Sequence, residues 1–425
     1  MVRGAILSVM ECRFCGSGFQ PRYRRGKMPL SREEKINFSK RRKYWWERRS
    51  AAKTMLIRIY KIVGLTLALS SFVLPDIMDV IAHAENTRAP ETTDMIDIQT
   101  TEARLRDHLK ALTVDIGERS VLVPGNLKKT EDYIRDFYKG IGIEARLEPY
   151  GYHGFEVANV VAEIAFGRNP AKRILIGVHY DSIAGTVGAD DNASAVAVQL
   201  ETARQVMALK ASKDLDLSVV FVSFALEEPP AYGTRFMGSR VYAEQARSRG
   251  ERIDGMLCLE MVGYTCSEPG CQSYPFPLMF FGYPKKGNFI GIVGNFDSLG
   301  LTRRIHDSFQ KNPDVPAIKL TVPFNGWIMP AVRLSDHASF WDEGFKAVMI
   351  TDSAFYRNPH YHQVTDTMDM LDYRFMAELV ESLVTFFSPT SRIPKRLSSK
   401  VVRRSSATFA DSFLKSSLLN RSCSG

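Results

Sequence analysis

Cysteine is scarce, six residues in 425, which excludes a scaffold built from cross-links and leaves the fold to rest on a buried apolar core. Cys12 and Cys15 form a C-x-x-C with no second pair near it, so the four ligands of a zinc ribbon are missing. Cys266 and Cys271 flank a Pro269-Gly270 turn, and two readings stay open for them, a loop disulfide or two free thiols. Cys258 sits in an apolar run and reads as core. There is no internal repeat. Basic residues are also missing from where the net charge of +9 first suggests them: residues 1–54 carry +11 and 391–425 carry +7, which leaves 55–390 at −9. The basic balance belongs to the ends, so it gives no ground for nucleic-acid binding.

Residues 1–54 read as a basic extension, disordered or foreign to the natural product. From Met55 the order is that of an export signal: Arg58 and Lys61, the apolar run 62–75, then Ala82-His83-Ala84 before Glu85. The run is short for a membrane span. Cleavage after Ala84 is expected, with an uncleaved anchor as the alternative and membrane contact only in that case. A polar linker (85–100), a catalytic domain (101–389) and a basic, Ser-rich disordered tail (390–425) complete the division.

Within that domain helical apolar spacing covers 102–114, 130–139, 193–209, 237–248, 299–310 and 372–387. Strand-like runs cover 145–150, 156–164, 173–179, 217–225, 255–262, 278–283, 289–293 and 346–351. The alternation predicts an α/β fold, an open, mostly parallel mixed sheet with helices on both faces.

The chemistry clusters where apolar strands end. Arg173 to His179 closes on an imidazole, with Asp181 two residues on and Asp190-Asp191 at the mouth of the next helix. Glu227-Glu228 follow the run 217–225, Glu260 lies near the end of 255–262, and His362 follows 346–351. In open α/β sheets ligands bind beyond the carboxyl ends of strands, and imidazoles with carboxylates make a zinc ligand set. Asp191 has two oxygens and can bridge two ions, His179 and Glu260 serving one, Glu228 and His362 the other. Each residue also has a plain reading: a hydrogen-bonded loop histidine, a solvated acidic edge, an aspartate capping a helix. The weight shifts because Glu227-Glu228 follow Val-Val-Phe-Val-Ser-Phe-Ala-Leu, where two buried like charges need a cation or a raised pKa.

These motifs resemble the co-catalytic zinc aminopeptidase family, which includes secreted bacterial leucyl aminopeptidases, aminopeptidase Y and glutamate carboxypeptidase. The resemblance spans about 102–387 and rests on His179-Tyr-Asp181, Gly188-Ala-Asp-Asp191-Asn-Ala-Ser194, Glu227-Glu228, Met237-Gly-Ser239, Glu260-Met-Val-Gly263, Ser335-Asp-His337 and His362-Gln-Val-Thr-Asp366-Thr367. It implies a zinc-dependent exopeptidase-like fold and two zinc ions per chain held by His179, Asp191, Glu228, Glu260 and His362. It also implies Glu227 as general base and Asp181 as the carboxylate orienting His179. Glu260 stands where many members have Asp, and Ala195 where Gly is usual.

The implied activity is hydrolysis of peptides from the N-terminus in an exported enzyme, by water activated at two zinc ions. His337 has two open roles, hydrogen-bonding the substrate or supporting the fold. Phe324, Trp327, Ile328 and Met329 are candidates for a side-chain pocket. Two rival functions remain. One is a glutaminyl-peptide cyclotransferase of the same fold with one zinc, which the segment 229–236 keeps open. The other is a non-catalytic binding domain, against which the intact Glu227 argues.

Overall fold

A computed structural model of the chain describes residues 96–212, 215–275, 279 and 282–388. The expected extension, signal segment and basic tail lie outside the described residues, as do Cys12 and Cys15. No helix among the described residues is long and apolar enough to cross a membrane.

The strands are β1 (Arg146–Tyr152), β2 (Phe155–Ala165), β3 (Lys172–His179), β4 (Leu217–Phe224), β5 (Gly255–Glu260), β6 (Ile290–Asn295), β7 (Ala317–Val322) and β8 (Ala347–Thr351). They form one sheet in the order β1-β2-β4-β3-β5-β8-β6-β7. The central four, β4-β3-β5-β8, run parallel. β1 and β2 join antiparallel on one side, and β6 pairs antiparallel with β8 on the other, with β7 parallel beyond it. The longer helices are α1 (Ile98–Lys110), α2 (Pro124–Gly140), α3 (Ala195–Ser212), α4 (Gly238–Ser248), α5 (Leu299–Phe309), α6 (His337–Asp342) and α7 (Tyr373–Phe387).

The near-continuous apolar strands are explained by burial on both faces. Along β4, Val219 and Phe221 pack in one core with Leu109 of α1, Leu200 of α3 and Leu379 of α7. The alternate residues Val220, Val222 and Phe224 pack in the other with Tyr242 of α4 and Trp341 of α6. Each such side chain contributes about 1.5–3 kcal/mol by leaving water. Because α3 follows β3 onto one face and α4 follows β4 onto the other, the loops leave in opposite directions. That opens a crevice at the carboxyl ends of the central strands, where register sets His179 beside Phe224 and Glu260 beside Thr351.

Some boundaries differ from the sequence expectations. α1 starts at Ile98, inside the expected linker, because the Asp97 side chain accepts the Thr100 amide and caps it. α2 starts at Pro124 rather than Thr130: proline occupies its first turn, where a missing N–H is harmless. β7 was not anticipated; its apolar alternation is broken by Lys319 and framed by Pro316 and Pro323, as suits an edge strand. Of the strand expected at 278–283, residues 278, 280 and 281 lie outside the described residues, and the Gly282 and Tyr283 amides turn back to the Met279 carbonyl. That stretch is a turn where it is described.

Candidate metal centre

Five of the residues singled out from sequence meet in two groups that share one member. His179, Asp191 and Glu260 form the first, Asp191, Glu228 and His362 the second. His179 Nε2 lies 3.4 Å from Asp191 Oδ1 and 3.5 Å from Glu260 Oε2. His362 Nε2 lies 3.2 Å from the other Asp191 oxygen, Oδ2, and 3.4 Å from Glu228 Oε2. Asp191 therefore offers one oxygen to each group. Glu260, a methylene longer than the usual Asp, still reaches its group, and Ser335 Oγ donates to its Oε2 at 2.6 Å.

The donor set fits metal ions on two counts. Charge-assisted N–H···O bonds are about 2.7–2.9 Å long, and these contacts are longer. Bonds of about 2.0–2.1 Å to a tetrahedral zinc give ligand–ligand edges of about 3.3–3.4 Å, which these separations match. The second count is unmet demand for positive charge. His179 Nε2 and Glu228 Oε1 are buried without a hydrogen-bond partner. Burial works against a charged His179 ring, yet Glu260, Asp181 and Asp191 outweigh it and hold its pKa well above normal. His362 is raised in the same way, to about 10, against burial, by Asp191 and Glu228. Burial and the Asp191 charge push Glu228 up to about 7.

Around the donors runs a backbone frame. Asp181, whose Oδ1 is 3.3 Å from His179 Nδ1, accepts the amides of Glu227 and Glu228 at 3.0 Å each. Asp366 accepts the amides of Asp190 and Asp191. Asp190 is no mere helix cap. It accepts the Gly263 amide and the Asn358 side chain, tying the β5 and β8 loops to the Asp191 turn. Gly188 enters that turn at φ 50°, and a Cβ there would lie 2.1 Å from the Asp191 carbonyl oxygen, so only glycine fits. Leu226, Met261 and His362 also have left-handed backbone, φ 58°, 48° and 57°. Each costs about 1–3 kcal/mol and is held only by its surroundings.

Sequence reading overlooked Arg119, which completes this frame. Fully buried, it donates to the carbonyls of Tyr180, Leu112, Gly117, Val187 and Gly188. Burial lowers its pKa to about 10, against the pull of Asp181, Asp366, Asp191 and Glu228, so it stays charged at neutral pH. Removing it strands several carbonyls and withdraws a positive charge from beside the acids. Arg119→Met is expected to lower stability by about 3–5 kcal/mol and to weaken metal retention. A melting temperature and zinc content equal to wild type refute this role.

The profile described as Peptidase family M28 matches residues 159–387, more than half the chain and all five donors. The chain belongs to peptidase family M28. This M28 peptidase is 35% identical over 290 residues to the uncharacterized Escherichia coli protein YfbL, covering 66% of this chain and 86% of that one. A probable leucine aminopeptidase 1 of Trichophyton verrucosum is 26% identical over 251 residues, of which this chain spans 60% of the length. Among solved structures LapB of Legionella pneumophila superposes with a TM-score of 0.51 at 21% identity, over 69% of this chain and 74% of that one. Glutaminyl cyclase of Porphyromonas gingivalis gives 0.50 at 17% identity, over 69% and 98%. At such identities the two structures speak for the fold alone. Family membership makes the protein a hydrolase of a generally zinc-dependent family.

The remaining M28 site residues fall into three positions. Glu227 belongs to neither donor group; burial pushes its pKa well above the carboxylate range, His179 opposing and Glu260 and Glu228 adding to the rise. His337 is fully buried, donates from Nε2 to the Val332 carbonyl at 2.7 Å and packs edge-on against Trp341. Burial lowers its pKa to about 4. Its Nε2 is committed to the fold, while its Nδ1 is buried without a hydrogen-bond partner. Tyr361, also unanticipated, stacks on the His362 ring at 3.8 Å. Burial and the charges of Asp191 and Glu228 keep its phenol protonated, so it remains a donor. Beside Glu260 opens an apolar pocket of about 120 Å³, lined in part by Tyr274, Phe289, Met349, Phe355 and Tyr361. Of the four expected pocket residues only Met329 lines it. Phe324, Trp327 and Ile328 are 72%, 65% and 59% exposed, on a loop with left-handed backbone at Phe324 and Asn325.

Proposed function

We propose that this M28 peptidase is an exported aminopeptidase that releases residues from the free N-terminus of peptides, with two zinc ions held between His179, Asp191, Glu260 and Asp191, Glu228, His362. The observation that carries the reading is Asp191, one oxygen facing His179 and the other His362. Zinc in these groups supplies Lewis acidity, acidifying water and polarising a carbonyl. Proton handling falls to the chain. Glu227, buried among the donors yet outside both groups, takes the proton of the attacking water and returns it to the departing amine. Tyr361 donates to the oxygen on which charge develops. Asp181 fixes both His179 and the Glu227-Glu228 backbone, so base and donors keep their spacing. The pocket beside Glu260 receives the side chain of the N-terminal residue. The Cys266–Cys271 pair, bonded in the structure, agrees with an oxidising compartment.

A glutaminyl-peptide cyclotransferase is the second reading, favoured by the shared fold. A one-zinc enzyme needs only one donor group, and this chain keeps both whole. The test is a set of peptides with free and acetylated N-termini, one beginning with glutamine. Release of free amino acids, glutamine included, from unblocked peptides alone is the expected result. Pyroglutamate and ammonia with the peptide bond intact would transfer the assignment to the cyclase, and cleavage of acetylated peptides at equal rates would remove the aminopeptidase.

A further inference from the structure

The pocket beside Glu260 is walled in part by two segments, 272–275 and 353–356, and the bonds between them converge on one residue. Gln272 is buried, and its amide is fully used. Nε2 donates to Ser353 Oγ at 2.9 Å and to the Ser273 carbonyl at 2.8 Å. Oε1 accepts from Arg357 Nε at 2.9 Å and from Ser353 Oγ at 3.2 Å. The Ser273 amide adds a bond to the Tyr356 carbonyl. Arg357 lies over the Phe289 ring, which lines the pocket, and donates to the Phe289 carbonyl at 2.9 Å.

Directly before Gln272 stands Cys271, bridged to Cys266. Cys266 exchanges two backbone hydrogen bonds with Gly287, each 2.9 Å, two residues before Phe289. Gly287 is packed so closely that a Cβ would meet Arg357 Nε at 2.4 Å and Cys266 Sγ at 2.6 Å. The disulfide thus ties Cys271, next to Gln272, to Cys266, whose backbone is hydrogen-bonded to Gly287 on the Phe289 side of the pocket. Besides the disulfide, the two sides are held by the loop 267–270, with Gly270 at φ 89°, by the Gly270 and Gln272 amides donating to the Lys285 carbonyl at 2.9 and 3.5 Å, and by the Arg357 clamp. Gly270 leaves such a loop many conformations.

We propose that the Cys266–Cys271 disulfide and the Gln272–Arg357 clamp beside it set the width of the substrate side-chain pocket. The oxidised chain then favours large apolar N-terminal residues, and reduction by a thiol or phosphine relaxes that preference without touching the metal donors. Neither cysteine nor Gln272 is a donor, so these are positioning residues acting through the walls. The inference rests on the aminopeptidase reading.

The test compares zinc-loaded wild type, Cys266→Ser/Cys271→Ser, Gln272→Leu, and wild type reduced by a water-soluble phosphine. In that reduction the phosphine gives two electrons to the disulfide and takes the oxygen of one water to become its oxide, while the two protons of that water complete the two thiols. Substrates are one peptide series with N-terminal Phe, Leu or Ala. The Phe-to-Ala ratio of kcat/KM is expected to fall by about tenfold or more in all three altered forms, carried by KM for Phe. In the reduced wild type and the double cysteine variant, kcat on the Ala peptide should stay within about twofold, and zinc content should not change in any form. A ratio equal to wild type in the reduced enzyme and in Gln272→Leu overturns the proposal, as does equal loss on both substrates. Should the double variant fail to fold, these two forms still decide. If wild type cleaves none of the peptides, the aminopeptidase reading has failed instead, and binding of free phenylalanine against alanine to the same proteins decides the pocket question separately.

Discussion

Asp191→Ala is expected to reduce turnover to the background of the assay and bound zinc from two equivalents per chain toward none. Among the described residues no other single side chain faces both imidazoles, with Oδ1 3.4 Å from His179 and Oδ2 3.2 Å from His362. Lewis acidity of this kind contributes several kcal/mol to transition-state stabilisation, so its loss lowers the rate by at least about 10³-fold. His179→Ala and His362→Ala, each confined to one group, should lose one ion apiece. Stability gives an independent reading. In the metal-free chain, against burial, the His179 and His362 rings hold the Asp191 carboxyl well below its usual range. With a chelator present Asp191→Ala should therefore melt below wild type, because the two imidazoles lose their shared partner, and without chelator the gap should widen, since only the wild type gains from metal binding. Two retained zinc equivalents in Asp191→Ala would dismantle the shared-oxygen geometry.

The second large effect separates the adjacent glutamates. Glu227→Gln preserves size and hydrogen-bonding shape but cannot take a proton, so kcat should fall by about 10²–10⁴-fold with zinc content and KM close to wild type. Glu228→Gln should lose zinc from the His362 group, since its Oε2 lies 3.4 Å from His362 Nε2. Metal analysis beside single-turnover rates distinguishes the two. Equal loss of zinc in both variants would mean that the base lies elsewhere.

The α/β class and the convergence of His179, Asp191, Glu228, Glu260 and His362 were legible because each donor follows an apolar run long enough to be a buried strand. Parallel strands place their carboxyl ends on one edge. Arg119 was not legible: Glu-Arg-Ser-Val looks like an ordinary polar loop, and nothing local reveals that five carbonyls from four separate stretches surround its guanidinium. Tyr361 was hidden for a related reason, its stacking on His362 being fixed by the left-handed backbone at His362. Phe324, Trp327 and Ile328 misled in the opposite sense. Apolar residues before Ser335-Asp-His337 suggest a pocket wall, but exposure depends on backbone torsions that composition does not encode.

The Asp366 carboxylate that holds the Asp190 and Asp191 amides enters the chain 176 residues after Asp190. At about 5–20 residues per second of synthesis, roughly 10–35 s pass between the two. Throughout that interval the nascent polypeptide exposes the acidic turn without His362 or Asp366 to complete it. On the two-zinc reading, ions met during translation would find at most the His179–Asp191–Glu260 donors, and those only after Glu260 is added, while the Glu228 side would fill only after His362 is added. A ribosome-stalled fragment ending before His362 should accordingly bind at most one equivalent of zinc.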